Sequence, residues 1–272
     1  MDSIVAGSAV LGGIVGLILA LTGAGGAILA VPLLLFVLHL GVAEAAPVAL
    51  LAVGLSAAVG AIIGLRAGIV RYKAAGLMAL TGMLSSPLGL WLAHRLPNGP
   101  LTLLFAGVLA FVSLRMFTQA TAVKRHAENT AFPSPPCRLD ADTGRFIWTG
   151  PCSRALALSG VGAGFLSGLL GVGGGFVIVP ALKRATHAPM HMIVATSLAV
   201  ITLVSASGVV STALAGRMNW HVGAPFAAGA IVGMLGGRLA AGRLSGARLQ
   251  QGFAVVAGLI AAGMVLRVMM SA

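Results

Sequence analysis

Long apolar runs separated by short polar breaks dominate the chain. They lie at about 4–21, 27–40, 45–65, 74–94, 101–118, 155–171, 175–186, 190–215, 222–242 and 249–269. As α-helices rising about 1.5 Å per residue, most of them could cross a hydrocarbon layer about 30 Å thick. The runs 27–40 and 175–186 are too short to do so. The pattern predicts an all-α polytopic membrane protein, because helices satisfy their backbone hydrogen bonds internally.

Composition agrees with a membrane protein and argues against a nucleic-acid partner. Apolar residues make up 58% of the chain and charged residues 8%, with a mean hydropathy of +1.05. Soluble domains carry about 25% charged residues. The net charge is +12, but Lys and Arg lie almost entirely in the polar breaks between apolar runs. We therefore expect the lipid bilayer as partner and no nucleic acid.

The chain contains an internal repeat. At an offset of 148 positions the glycine-rich segments superpose without a gap, and matches continue to the last run: Gly23/Gly171, Gly26/Gly174, Pro32/Pro180, Gly60/Gly208, Gly89/Gly237 and Phe105/Phe253. We interpret this as two homologous halves, 1–118 and 154–272, joined by a polar linker, 119–153. The short apolar runs occupy equivalent places in the two halves.

The distribution of basic residues predicts how the halves are oriented. We expect each half to consist of a glycine-tipped broken helix or hairpin followed by three transmembrane helices. If the halves are inverted repeats, Lys and Arg gather on the side of the linker, and only Arg95, Arg217 and Arg267 lie opposite. A parallel arrangement divides the charges more evenly. Because Lys and Arg collect in cytoplasmic loops, we predict inverted repeats, a cytoplasmic linker and external termini.

Glycine clusters inside two apolar runs are the strongest candidates for chemistry. Gly25 and Gly26 in the first half match Gly173 and Gly174 in the second, where Gly175 follows, and each cluster leads to Val-Pro. Glycine allows positive φ and exposes backbone N–H groups at the start of the next helix, where anions bind. In inverted-repeat transporters two such breaks form the substrate site. The alternative is close helix packing through small residues.

Thr196 and Ser197 are the candidate side chains for such a site. They begin a polar stripe, continued by Ser205, one predicted helix beyond the second glycine cluster. Their hydroxyl groups could bind a substrate oxyanion or bond to their own helix carbonyls. The equivalent residues of the first half, Val48 and Ala49, lack hydroxyls. Glu44, the one acid near an apolar run, reads as a helix N-terminal residue rather than a proton relay.

The sequence carries no pattern typical of an enzyme or a metalloprotein. No nucleophile has a plausible His and acid partner, and the two closest histidines, His187 and His191, have no third ligand. Cys137 and Cys152 lie in the linker without a metal-ligand spacing, and we expect them to be ordinary loop thiols. We predict no catalytic residues, no metal and no cofactor.

Several of these segments are shared with a known family. The glycine-to-proline segments Gly23 to Pro32 and Gly171 to Pro180, together with Ala195-Thr196-Ser197 and the pairs Ala67-Gly68 and Ala215-Gly216, resemble the sulfite exporter TauE/SafE family. The resemblance implies a multi-pass transporter of the bacterial inner membrane. It would export a small sulfur-containing anion such as sulfite, sulfoacetate or a similar organosulfonate. The alternative is a membrane scaffold or subunit without transport of its own. A homodimer is left open.

Overall fold

Helices make up nearly all of the structure, a computed structural model that describes residues 2–122, 137, 148–186, 188–241 and 246–271. In the N-terminal half these are α1 (Asp2–Thr22), a 3-10 segment (Gly23–Leu29), α2 (Ala30–Val37), α3 (Val42–Arg66), α4 (Tyr72–Arg95) and α5 (Asn98–Ala122). In the C-terminal half they are α6 (Gly150–Leu170), α7 (Gly175–Ala185), α8 (Met190–Leu214), α9 (Trp220–Ala241) and α10 (Gly246–Ser271). The all-α prediction is confirmed.

Six of these helices are long and apolar enough to cross a membrane: α1, α3, α4, α6, α8 and α9. The spans differ from the prediction in two respects. The first helix of each half, α1 or α6, is long enough to span by itself, although the sequence placed it in a hairpin. The last helices, α5 and α10, contain shorter apolar stretches within the described residues, Gly99–Leu114 and Ala254–Leu266. The short helices α2 and α7 do not reach spanning length.

The helices of the two halves correspond at the repeat offset. Equivalent helices begin 148 positions apart: α1 and α6 at Asp2 and Gly150, α3 and α8 at Val42 and Met190, α4 and α9 at Tyr72 and Trp220, and α5 and α10 at Asn98 and Gly246. The contacts between helices show the same correspondence between the two halves. Helix α1 packs on α9 as α6 packs on α4, while α3 packs on α8 and α5 on α10. The halves are therefore intertwined rather than side by side.

The equivalent helices α3 and α8 pack antiparallel at the centre of this arrangement. A Cβ placed on Gly54 would contact Ser205, and one on Gly64, further along α3, would contact Ala195, earlier along α8. A two-fold axis along the membrane normal would leave such equivalent spanning helices parallel. The antiparallel pairing is what an inverted relation requires, and it supports that prediction without assigning either face to a compartment.

Glycine makes the two closest helix contacts possible. Gly12 and Gly16 of α1 face the backbone of α9 at Phe226 and Ala230. In the other pair, Gly164 of α6 faces the backbone of α4 at Gly82. A Cβ at any of these glycines would overlap a main-chain atom. Small residues therefore let these backbones approach each other, as is typical of membrane bundles.

The two cysteines are not free thiols, so that expectation was wrong. Cys137 and Cys152 form a disulfide with a Cα–Cα distance of 4.8 Å, and both are fully buried. The Cys137 N–H donates to the Ala185 carbonyl at 3.0 Å, beside a bridge to Thr186. The start of α6, the end of α7 and one residue of the linker are thereby joined. Sequence spacing could not reveal this, because the pairing depends on the chain folding back between α6 and α7.

Candidate functional site

The second glycine segment forms a sharp turn between α6 and α7. Gly171, Gly173 and Gly174 have φ values of +72°, +70° and +69°, which L-residues with side chains rarely adopt. The N–H groups of Val177 and Ile178 donate to the Gly174 carbonyl, so α7 begins directly after the turn. The preceding N–H groups of its first turn have no carbonyl one turn back within the helix. The predicted opening of a helix by left-handed glycines is confirmed in this half.

The first glycine segment has a different conformation. Residues Gly23–Leu29 form a 3-10 segment that continues into α2, and Gly26 within it has no positive φ. The expectation of left-handed glycines was therefore wrong for this half. A 3-10 helix keeps the chain in the right-handed region and makes the break by tightening the turn. The two breaks are related in sequence but not in backbone geometry.

The second break lies between α3 and α8, and the first break packs on α7 and α8. The 3-10 segment contacts both α7 and α8. Gly173 is buried, and a Cβ on it would lie 3.0 Å from Ile201 Cγ2, 3.1 Å from Ser205 Oγ and 3.1 Å from Val53 Cγ1. Val53 lies near the middle of α3, and Ile201 and Ser205 near the middle of α8. The turn before α7 is thus held halfway along the central helices, and the side chains around it are packed in a closed arrangement.

The neighbouring glycines also serve close packing. A Cβ on Gly26 would lie 2.7 Å from the Leu19 nitrogen, and one on Gly174 would lie 2.6 Å from the Ala163 carbonyl oxygen. Both glycines therefore press the returning chain against the backbone of the preceding helix. The packing interpretation has direct geometric support at these two positions. A binding role for Gly25, Gly26, Gly173, Gly174 and Gly175 stays a prediction.

Thr196 and Ser197 are buried near the start of α8 and already have hydrogen-bond partners. The Thr196 hydroxyl oxygen accepts from the backbone N–H of Arg71 at 3.1 Å. The Ser197 hydroxyl donates to the Val194 carbonyl at 2.8 Å. The Arg71 Nε–H also reaches Met192 Sδ at 3.1 Å. The two bonds of Arg71 join the α3–α4 loop to α8. The residues of α8 nearest to Gly173 of the second glycine turn are Ile201 and Ser205.

Four buried serines have hydroxyl groups without a partner in the described part of the chain. They are Ser56, Ser86, Ser167 and Ser205, none of them more than 1% exposed. Leaving a buried hydroxyl unpaired costs free energy, so native proteins rarely do so without a reason. Ser205 alone of the four is among the nearest neighbours of a left-handed glycine before α7. The polar stripe of α8 pointed to it, but the sequence could not separate it from hydroxyls bonded within the helix.

The remaining polar candidates lie away from this centre. Glu44 is exposed in the first turn of α3, where its charge complements the helix N-terminus as predicted. His191 is exposed at the start of α8, and His187 lies outside the described residues. No group of three or more His, Cys, Asp or Glu side chains that could hold a metal exists among the residues described.

Comparison with known proteins identifies the family. The family model for the sulfite exporter TauE/SafE matches residues 8–264. The chain belongs to this family. It is 33% identical over 246 residues to a protein of Xylella fastidiosa (strain Temecula1) named "Probable membrane transporter protein", covering 87% of this chain and 85% of that protein. It is 30% identical over 240 residues to "Probable membrane transporter protein YunE" of Bacillus subtilis, covering 85% of each. No solved structure matches.

Membership of the TauE/SafE family agrees with the fold described above. The match begins within α1 and ends within α10, so it includes both glycine segments and the central pair α3 and α8. With six candidate spans, the chain is a multi-pass membrane transporter of the bacterial inner membrane. The names of the relatives state transport and no substrate.

Proposed function

We propose that this protein is a secondary transporter that exports a small sulfur-containing anion, such as sulfite, sulfoacetate or a similar organosulfonate. The observation that carries the proposal is that the second break lies halfway along α3 and α8, with the 3-10 segment of the first break packed on α7 and α8. A helix start turned toward mid-membrane offers unpaired N–H groups and the positive end of the helix dipole to an anion. The family description supplies the sulfur-containing class of substrate.

The proposed site consists of the backbone around Gly25 and Gly26, the backbone around Gly173, Gly174 and Gly175, and the hydroxyls of Thr196 and Ser197. On the side where a Cβ of Gly173 would stand, three side chains lie within 3.1 Å, so an oxyanion does not fit there without a movement. Binding would therefore require the 3-10 segment and α7 to move away from α3 and α8. Such a movement between inverted halves would give alternating access. We propose transport by these steps without catalysis, metal or cofactor.

A flux assay tests this proposal. Purified protein in liposomes is expected to move radiolabelled sulfite or sulfoacetate without another protein. Gly7→Ala is the control variant, because a Cβ on Gly7 would have nothing within 4 Å, and it should transport like the wild type. Gly174→Ala should lose transport per folded molecule, since the start of α7 would shift. If the wild-type protein moves no member of a broad anion panel, the scaffold interpretation is correct instead.

A further inference from the structure

We propose that Ser205 supplies the side-chain hydrogen bond to the transported anion at the start of α7. This inference rests on the proposed function and adds one side chain to its site. Ser205 is fully buried, and its hydroxyl has no partner among the residues described. Its Oγ lies 3.1 Å from the point where a Cβ on Gly173 would stand. An unpaired hydroxyl thus lies next to a left-handed glycine, halfway along α8.

The helix that follows has the polarity an anion requires. Helix α7 runs for 11 residues, from Gly175 to Ala185, with Lys183 and Arg184 in its last turn. Its positive end points toward the turn beside Ser205, and the two basic residues stabilise its negative end. The other neighbours of the turn, Val53 and Ile201, are apolar and buried. They exclude water, which strengthens a hydrogen bond between a hydroxyl and a charged oxygen.

Neighbouring hydroxyl groups on α8 are less suited to this role. Thr196 already accepts the Arg71 N–H, and Ser197 already donates to Val194. Ser197 must give up its donated bond before its hydroxyl can donate to a substrate. Thr196 keeps an O–H without an acceptor in the described part of the chain, but it lies beside Leu182 and Thr186 at the end of α7 rather than at the start of that helix. Ser205 has no such bond to lose among the residues described. A hydrogen bond to the anion would offset the free-energy cost of burying an unpaired hydroxyl, which gives a physical reason for a polar group at this point.

The inference also makes the site one-sided. The residue equivalent to Ser205 under the offset of 148 is Ala57, which has no hydroxyl. The first glycine segment also forms a 3-10 helix where the second has left-handed glycines. We therefore expect the second break to make the main contacts with the anion and the backbone around Gly25 and Gly26 to contribute less. The substrate class remains a small oxyanion, which accepts from a hydroxyl and from backbone N–H groups together.

The experiment compares Ser205→Ala with Ser211→Ala in liposomes loaded with radiolabelled sulfite and, in parallel, sulfoacetate. Ser211 is on the same helix, but its hydroxyl donates to the Ser207 carbonyl at 2.9 Å. Ser205→Ala should raise the apparent KM about tenfold or more, as expected for a lost hydrogen bond to a charged group. Its maximal rate should stay within about twofold of the wild type. Ser211→Ala should leave the KM unchanged.

Thermal stability provides a second measurement that a merely structural role would not reproduce. Without anion, Ser205→Ala should unfold at the same or a higher temperature than the wild type, because it removes an unpaired buried hydroxyl. Added sulfite should stabilise the wild type and not the variant. If the wild type transports the anion and Ser205→Ala has an unchanged KM, the role of Ser205 is refuted and the proposed function is not. An inactive wild type with both anions overturns the proposed function as well.

Discussion

Replacement of Gly174 by alanine should show how much of the turn before α7 depends on glycine. Gly174 has a φ of +69°, and a Cβ there would lie 2.6 Å from the Ala163 carbonyl oxygen and 3.0 Å from its carbon. Ordinary van der Waals contact begins at 3.4 Å. Because the opposing atoms belong to the α6 backbone, no side-chain rotation can relieve the overlap. One turn of α6 and the start of α7 must therefore separate.

The magnitude follows from two independent costs. Forcing alanine into the left-handed region costs about 1–2 kcal/mol. Overpacking against a rigid neighbour costs about 1–3 kcal/mol. Alanine also narrows the unfolded ensemble, which returns about 0.4–1 kcal/mol. Gly174→Ala should therefore lower the free energy of unfolding by about 1–5 kcal/mol.

Two other glycines separate these costs experimentally. Gly216 has a φ of +66° with nothing within 4 Å of a Cβ, so Gly216→Ala introduces backbone strain alone. Gly26 is not among the residues with positive φ, but a Cβ on it would lie 2.7 Å from the Leu19 nitrogen. Gly26→Ala therefore introduces the overlap alone.

Unfolding in mixed detergent–SDS micelles measures all three variants against the Gly7→Ala control. We expect the loss of stability to be largest for Gly174→Ala and near zero for Gly7→Ala. If Gly174→Ala costs no more than Gly216→Ala, the backbone of α6 yields freely at Ala163. The reasoning from close contact would then be refuted.

Three further predictions concern other parts of the molecule. In a chain without its native cysteines, a cysteine that replaces the exposed Arg217 should react with an impermeant maleimide added outside intact cells, and one that replaces the exposed Arg184 should not. The reverse labelling pattern would contradict a cytoplasmic linker and would agree with a disulfide formed on the oxidising side of the membrane. Glu44→Gln should keep transport and its pH dependence, because this acid is exposed at a helix start; complete loss at normal expression would make it a coupling residue. Thr196→Val should lower the free energy of unfolding by about 1–3 kcal/mol, since it leaves the Arg71 N–H unpaired, whereas Thr196→Ser should not. Equal melting temperatures of the two variants would show that this hydrogen bond does not stabilise the protein.

The helices and the repeat were predictable from the sequence because their causes are local. An apolar run of about 20 residues determines a spanning helix wherever it lies in the chain. A repeat offset depends only on the order of residues, and the equivalent helices of the two halves begin 148 positions apart. Glycine clusters also marked the chain breaks correctly. The sequence did not distinguish a left-handed turn in one half from a 3-10 segment in the other, because glycine permits both.

The partners of individual polar groups were decided by the tertiary structure. Thr196 bonds to the backbone of Arg71, 125 positions away in the chain. Ser205 lies beside Gly173 without a partner in the described part of the chain, although Ser211 on the same helix bonds to a carbonyl of that helix. The sequence alone determined that this chain crosses a membrane in two homologous halves. Only folding determined which hydroxyls found partners, because hydrogen-bond partners come from helices that pack together and not from residues adjacent in sequence.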